Sequence, residues 1–239
     1  MTDTADDCTG AAAEGAARAA CTGECPLAIF DLDGTLLNTL EDLHLSINHT
    51  LAWAGLPTQS HADTRAYVGN GIRKLVERSA PAGTPAEVVD ELLAEFDRYY
   101  AEHCDDHTAP YLGVPELLGR LREAGVRTAV VSNKTQYAVT SLVATHFPGA
   151  FEAVVGVREG VAKKPAPDMV ALALAEMAVR EGAPAVYVGD SEVDVATAAN
   201  AGLPCLAVTW GFRTEAQLTA AGATQLYASA EELAEALLA

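Results

Sequence analysis

The chain has 239 residues, of which 50% are hydrophobic and 20% charged, enough to bury one large core or a core with a small satellite. Its 33 acidic residues outnumber its 15 basic ones, for a net charge of -18. This excess argues against nucleic-acid or membrane-surface partners, which bind basic surfaces, so an anionic substrate must be held locally by a metal ion or a few donors. No apolar run approaches the roughly 20 residues of a membrane span.

The N-terminal stretch and the cysteines indicate the cellular compartment in which we expect the protein. Residues 1–25 are mostly Ala, Gly, Thr and acidic side chains, which bury too little apolar surface to offset their ordering entropy, so we predict a flexible extension. Five cysteines are an odd number in a chain that needs no disulfides, and the extension lacks a secretory pattern, so we expect a cytoplasmic protein. Cys21 and Cys25 have the spacing of half a zinc site, but without a second pair or a nearby His we favour incidental cysteines.

From Pro26 onward, short apolar runs alternate with helical patterns. Each run is bounded by Gly, Pro or polar residues, which is typical of strands buried on both faces of a parallel sheet. Strands that alternate with helices indicate right-handed crossovers, so we predict an α/β fold with a doubly wound, mostly parallel sheet. The predicted strands are 27–30, 126–131, 153–155, 185–188 and 205–209.

Several helices have recognisable ends. Glycine ends the helical patterns that precede the second, fourth and fifth predicted strands. Two capping-box patterns, in which a hydroxyl residue and an acid three positions later exchange bonds, mark helix starts. The predicted ends are Gly125, Gly182 and Gly202, and the capping-box pairs are Thr84 with Glu87 and Ser229 with Glu232.

One interval breaks the alternation. Residues 31–125 separate the first two predicted strands, whereas a βα unit needs about 30 residues. Helical patterns fill this interval, so we predict that residues 41–110 form an all-helical domain inserted into a core made of residues 26–40 and 111–239. The patterns cover 41–54, 72–79 and 85–103.

Polar clusters follow three of the predicted strands, as DLDGT, SNK and GDSEVD. Ligands of open α/β sheets bind outside the carboxyl ends of the strands, so we expect these clusters to converge. Two carboxylates about 4 Å apart repel by about 4 kcal/mol at an effective dielectric constant of about 20, and a hard cation such as Mg2+ relieves that repulsion. The clustered side chains are Asp31, Asp33, Ser132, Asn133, Asp190 and Asp194, and a loop adds Lys163 and Lys164.

Together these motifs resemble those of the haloacid dehalogenase superfamily of phosphotransferases, in the same order. DLDGT at 31–35 is similar to the first motif, Ser132 to the second, Lys164 before Pro165 to the third, and GDSEVD at 189–194 to the fourth. The joint match is far more specific than any single motif, and it extends from about residue 27 to the end. The helical insertion is similar to the family's helical cap.

The resemblance implies a mechanism. Asp31 is expected to attack phosphorus as the nucleophile, and Asp33 to act first as general acid and then as general base. Mg2+ is expected on Asp31, Asp190 and the backbone carbonyl of Asp33. An acid at position 33 favours phosphate chemistry over dehalogenation. The other expected roles are binding of the substrate by Thr35, Ser132, Asn133 and Lys164, and support of the metal from a second layer by Ser191 and Asp194.

The segment YVGNGIRKLVERS within the insertion bears on the substrate. Its glycine turn before a helix suits a small anion, and equally suits a helix start capped by Asn70. It resembles the cap of phosphoglycolate phosphatases, which implies 2-phosphoglycolate as the first candidate and Asn70 with Arg73 or Lys74 as its binding residues. We also predict that Trp53 packs within the insertion.

Other functions share this fold. A sugar-phosphate mutase uses the same core but resists hydrolysis of its aspartyl-phosphate, and pyrophosphatase or nucleotidase activity is also open. From a different class, a non-catalytic binding protein could retain the fold, although the intact acids and Lys164 argue against it. We expect a small phosphorylated metabolite as the partner of a monomer or homodimer.

Overall fold

The computed structural model describes residues 27–180 and 182–239. The predicted extension at 1–25, with Cys21 and Cys25, lies outside these residues. Six strands of the described chain form one sheet in which every pair is parallel. They are β1 (Leu27–Phe30), β4 (Arg127–Thr135), β5 (Ala153–Val157), β6 (Ala185–Gly189), β7 (Cys205–Val208) and β8 (Leu226–Tyr227).

The strand order β5-β4-β1-β6-β7-β8 puts β1 in the centre of the sheet, between β4 and β6. All four residues of β1 are buried. Because successive side chains of a strand point to opposite faces, Ala28 and Phe30 join one apolar cluster, whereas Leu27 and Ile29 join another. Each face is covered by helices, as the prediction of a doubly wound α/β fold requires, and that prediction is confirmed. The helices are α5 (Val114–Glu123), α6 (Gln136–His146), α7 (Asp168–Glu176), α8 (Glu192–Asn200), α9 (Glu215–Ala220) and α10 (Ala230–Leu238).

Four helices lie between β1 and β4 in the sequence, and we call residues 40–103 the helical insert. Their buried apolar side chains, including Ile47, Leu51 and Phe96, form a cluster separate from the two sheet clusters. The boundaries 41–110 remain a prediction. The helices of the insert are α1 (Leu40–Trp53), α2 (His61–Tyr67), α3 (Ile72–Ser79) and α4 (Ala86–His103).

A two-stranded antiparallel ribbon closes the base of the insert. It pairs β2 (Leu37–Asn38) with β3 (Ala109–Pro110), so that the chain entering the insert runs beside the chain leaving it. The sequence patterns predicted neither this ribbon nor β8, because two-residue strands carry no periodicity. No helix in the described ranges is long and apolar enough to cross a membrane.

Four local predictions need correction. Thr84 and Glu87 form no capping box, because Pro85 occupies the N-cap position of α4 and the Thr84 hydroxyl donates to the carbonyl of Pro81. The helix predicted up to Gly182 ends at Glu176, two residues before Ala178 adopts a φ of 52°.

The predicted packing of Trp53 is also wrong, because its side chain stands at the end of α1 and is 57% exposed. The second predicted capping pair, Ser229 with Glu232, forms only one of the two hydrogen bonds of a capping box. Ser229 accepts from the backbone N–H of Glu232, but the Glu232 carboxylate accepts from Ala228.

Candidate active site

The two acids of the DLDGT segment lie directly after the central strand β1. The backbone N–H of Asp31 donates to the carbonyl of Val188 at 2.9 Å, which continues the pairing of β1 with β6 and fixes the start of the loop. Gly34 then turns the chain with a φ of 87°. A Cβ at Gly34 would lie 2.3 Å from Oδ2 of Asp190, so only glycine lets the loop pass the second acidic segment.

Lys164 bridges two of the acidic segments. Its buried Nζ lies 2.8 Å from Oδ1 of Asp31 and 2.8 Å from Oδ1 of Asp194, and it donates to the hydroxyl of Tyr187 at 3.1 Å. Burial lowers the pKa of Lys164, but the carboxylates of Asp194 and Asp31 outweigh burial and leave it well above its ordinary value. Lys164 therefore carries a fixed positive charge beside Asp31.

Asp190 and Asp194 are held by the loops around them. Asp190 accepts from the backbone N–H of Phe212 at 2.6 Å and from the hydroxyl of Thr35 at 3.4 Å. Asp194 accepts from the backbone N–H and the hydroxyl of Ser191 at 3.1 and 2.6 Å. Thr35 and Ser191 thus orient acids, rather than standing free to bind other groups.

The donor set fits a divalent cation. Asp31, Asp190 and Asp194 each offer a carboxylate oxygen, and these oxygens lie within 4.8 Å of one another in a buried position. Burial and the charge of Asp194 raise the pKa of Asp190 to about 7, and the same two causes raise the pKa of Asp31 well above its ordinary value. A hard cation would remove the repulsion that makes these acids hold their protons. Both carboxylate oxygens of Asp194 are bonded, to Lys164 and to Ser191. The more available oxygens are Oδ2 of Asp31, whose Oδ1 pairs with Lys164, and Oδ1 of Asp190, which has only a 3.4 Å contact with Thr35.

Asp33 is held on the other side of the site. Its Oδ1 accepts from the hydroxyl of Thr39 at 2.6 Å and pairs with Nζ of Lys134 at 2.9 Å. Lys134 is buried at the end of β4, where it also donates to the Tyr100 hydroxyl of α4 and lies 4.7 Å from the centre of that ring. Burial lowers the pKa of Lys134, but Asp33 and Tyr100 raise it above its ordinary value, so the ammonium stays charged.

A cavity of about 40 Å³ lies between the carboxyl edge of the sheet and the helical insert. Asp31, Asp33, Ser132, Lys164 and Asp190 all face it, so residues far apart in sequence converge as expected from the fold. A single buried water needs about 10–15 Å³ in the same measure, so the cavity is small, with room for only a few water molecules. The insert contributes Leu43, Val68, Gly69, Gly71, Ile72 and Leu75.

Asn133 joins the two sides of the cavity. Its side-chain amide donates to the carbonyl of Lys164 at 3.1 Å and to that of Gly69 in the insert at 3.4 Å. Its Oδ1 is buried and has no hydrogen-bond partner within the described residues. Lys163, the alternative to Lys164, reaches the backbone carbonyl of Asn70 at 3.4 Å and so contacts the insert instead of the acids.

Three residues expected to bind substrate are not brought into the cavity. Thr35 is buried against Asp190, as described above. The guanidinium of Arg73 bonds Asp90 on the outer side of the insert, and the Asn70 side chain accepts from Arg78 instead of capping α3, whose N-cap is Gly71. The neighbouring Lys74 pairs with Glu77.

Two arginines form a reciprocal clasp between insert and core. Arg65 in α2 donates to the carbonyls of Gly211 and Phe212 at 2.6 and 2.9 Å. Arg213 in the core donates to the carbonyls of Arg65 and Val68 at 3.1 and 2.6 Å, and its Nε bonds Glu192 at 2.8 Å. The clasp holds the insert over the cavity.

Lys134, Tyr187, Arg65 and Arg213 are not among the functional residues predicted from the sequence. For Lys134 a signal was present, because it follows Ser132 and Asn133 at the same strand end. Nζ of Lys164 lies 5.7 Å from the centre of the Tyr187 ring, a contact between a loop and β6 that no local pattern reveals.

The family of the chain follows from comparison with known proteins. The model of the haloacid dehalogenase-like hydrolases matches residues 28–208, which include all four motifs. The chain belongs to this family.

Curated relatives of the chain narrow the class of hydrolase to which it is similar. A phosphoglycolate phosphatase of Caulobacter vibrioides is 40% identical over 190 residues, which cover 78% of this chain and 80% of the relative. One of Agrobacterium fabrum is 36% identical, covering 78% and 82%. The prediction of a hydrolase similar to phosphoglycolate phosphatases is confirmed.

Solved structures agree with this placement. A crystal structure of a proposed phosphoglycolate phosphatase from Lactobacillus delbrueckii subsp. bulgaricus superposes with a TM-score of 0.85 at 35% identity, covering 90% of this chain and 99% of that one. CbbY from Rhodobacter sphaeroides, solved in complex with phosphate, has a TM-score of 0.68 at 27% identity and covers 87% and 95%.

Proposed function

We propose that this chain is a Mg2+-dependent phosphatase that hydrolyses a small phosphomonoester, with 2-phosphoglycolate as the substrate, through an aspartyl-phosphate on Asp31. The observation that carries the proposal is the convergence of Asp31, Asp33, Lys164 and Asp190 on one buried cavity. When bound, Mg2+ would be held by Asp31, Asp190 and the carbonyl of Asp33, and would neutralise charge on the phosphoryl oxygens.

The first half-reaction transfers the phosphoryl group to the protein. A carboxylate oxygen of Asp31 attacks phosphorus while the bond from phosphorus to the leaving oxygen breaks. Asp33 gives its proton to that oxygen, so the alcohol leaves neutral. Lys164, 2.8 Å from Asp31, stabilises the negative charge that develops, and Ser132 with the backbone of Asn133 holds the phosphoryl oxygens.

The second half-reaction regenerates the acid pair. Asp33, now ionised, takes a proton from a water molecule that attacks phosphorus, and the bond to Asp31 breaks to release inorganic phosphate. Asp33 then holds the proton needed for the next cycle. Thr39 and Lys134 keep its carboxyl oriented toward the cavity throughout.

The size of the cavity supports a small substrate. With the insert closed, about 40 Å³ remains between its apolar wall and the sheet edge, so a bulky leaving group is excluded unless the insert stays open. We propose that the insert acts as a cap, with boundaries at 41–110, and that its closure excludes water. The phosphoglycolate phosphatases among the curated relatives support 2-phosphoglycolate as that substrate.

A phosphate-release screen tests the function. Small phosphomonoesters are incubated with the protein and with its Asp31→Asn variant, in Mg2+ or in EDTA. We expect Mg2+-dependent release, fastest from 2-phosphoglycolate, and none from the variant at unchanged circular dichroism. Isomerisation of glucose 1-phosphate without net phosphate release would instead identify a mutase. Release by Asp31→Asn at the wild-type rate would contradict the proposed roles.

We propose a cytoplasmic protein that acts on a small phosphorylated metabolite, as a monomer or homodimer. The free thiols of Cys104 and Cys205 support a reducing compartment. Burial raises the pKa of Cys205 to about 12, which leaves its thiol protonated and unreactive at neutral pH.

A further inference from the structure

Few positively charged side chains face the cavity, and they differ in the protein groups to which they already donate hydrogen bonds. Within the described residues, Lys134, Lys164 and Arg213 line it. Lys164 lies between Asp31 and Asp194, on the side of the cavity where the proposed mechanism places the phosphoryl group. Arg213 uses four of its five N–H groups on Glu192 and on two carbonyls of the insert, so most of its donors are occupied by the clasp.

Lys134 stands on the opposite side, beside Asp33. An ammonium has three N–H donors, and two of those on Lys134 are directed at Asp33 and at the Tyr100 hydroxyl. Within the described residues the ammonium has no further hydrogen-bond partner, so its third N–H is left for a ligand in the cavity that Lys134 lines. The ammonium is thus a buried and positioned donor.

The proposed reaction places the leaving group beside this donor. Asp33 protonates the ester oxygen, so that oxygen lies within hydrogen-bonding distance of the Asp33 carboxyl. In a 2-phospho-carboxylate, the carboxylate is separated from the ester oxygen by a single carbon atom. A carboxylate so close to Asp33 comes within reach of the Lys134 ammonium, while the apolar side chains of Leu43 and Ile72 offer it no charge.

We infer that Lys134 is the specificity-determining cation of this site, which receives the carboxylate of the leaving group and so selects phosphorylated hydroxy acids over neutral phosphoesters. This inference rests on the proposed phosphatase function. It moves the recognition of the carboxylate from Arg73 on the insert to the core. Tyr100 bonds Lys134, and it therefore connects helix α4 of the insert to the residue that binds the substrate carboxylate in this inference.

The test compares two substrates that differ in the carboxylate alone. Specificity constants are measured with 2-phosphoglycolate and with ethyl phosphate for the wild type, Lys134→Met and Arg73→Met. We expect Lys134→Met to lower the ratio of the two constants by about 100-fold, since it removes a buried charge partner. Any effect through Asp33 cancels in the ratio, because both substrates need the acid. Arg73→Met should leave the ratio unchanged.

The possible outcomes distinguish a failure of this inference from a failure of the proposed phosphatase function. If the wild type releases no phosphate from either ester, the proposed function fails. If the wild type is active and Lys134→Met keeps the wild-type ratio, or if Arg73→Met lowers it instead, the role of Lys134 is refuted. Lys134→Gln, which keeps donors but not the charge, serves if the Met variant does not fold, and is expected to lose the same selectivity.

Discussion

The carboxyl edge of the sheet and the helical insert face the same cavity with opposite chemistry. At the edge, buried charges bond across distant segments, as when Lys164 joins Asp31 to Asp194. On the insert, the wall is apolar and charges such as Arg73 pair outward with other residues of the insert. We infer that the rigid sheet edge fixes the proposed reacting groups, whereas the insert would close over them through a few bonds that can break.

The largest effect is expected from Asp33, the residue of the edge for which we propose the acid–base role. Asp33→Asn should lower kcat for 2-phosphoglycolate by about 100-fold or more, because the leaving oxygen loses its proton donor. With p-nitrophenyl phosphate, whose leaving group needs no acid, the variant should give a burst of nitrophenolate and then slow release of phosphate. A steady rate without a burst, equal to that of the wild type, would remove Asp33 from the mechanism.

A smaller effect is expected from the clasp. Arg65→Met removes two charge-assisted bonds to core carbonyls without touching the cavity lining, so kcat/KM for 2-phosphoglycolate should fall about 10-fold through weaker closure. Arg98→Met is the matched control, because Arg98 bonds Glu95 within its own helix. Equal losses in the two variants would contradict the assignment of closure to the clasp.

The acids of the edge predict a pH-dependent response to the cation. Asp190 has its pKa raised to about 7 when no cation is bound, so its proton stabilises the folded protein at low pH and is lost as the pH rises through 7. Mg2+ bound at this proposed site would replace that proton, so saturating Mg2+ should raise Tm by about 5 °C at pH 8 and by less at pH 5.5. Asp190→Asn should show neither response, and a Mg2+ shift that grows toward low pH would be inconsistent with this site.

The smallest effect is expected at an exposed position of the insert. Trp53→Ala should change the free energy of unfolding by less than about 0.5 kcal/mol and leave kcat unchanged, because the side chain makes little buried contact. Phe96→Ala, in the buried cluster of the same insert, should cost about 3 to 5 kcal/mol. Urea denaturation measures both, and a comparable loss for the two variants would show that Trp53 packs in solution.

The sequence predicted the sheet and the convergence of the acids because both follow from local patterns. The buried apolar runs fixed five strands of the sheet, and the rule that ligands bind at the carboxyl ends of strands joined Asp31 to Asp190. The two-residue strands β2, β3 and β8 escaped, since they are too short to show periodicity. The roles of these acids in catalysis stay predictions, supported by family membership.

The sequence could not show which of several similar positively charged residues reaches the cavity. Arg73, Lys74, Lys134 and Lys163 all stand near motif segments, and only packing decides which of them reaches the cavity. Lys134 does so because Tyr100 of α4 and Asp33 meet around its ammonium, although 34 residues separate it from Tyr100. The clasp of Arg65 and Arg213 joins residues still further apart, as the contact of Arg65 with Phe212 spans 147 positions.

The most direct measurement is the identification of the residue that carries the phosphoryl group. The protein is mixed with 2-phosphoglycolate and Mg2+, quenched within one turnover and reduced with borohydride, which converts an aspartyl-phosphate to homoserine, and its peptides are sequenced by mass spectrometry. We predict homoserine at position 31, dependent on both substrate and Mg2+. Rapid phosphate release with homoserine only at position 33 or 190 would contradict the central claim that Asp31 is the nucleophile.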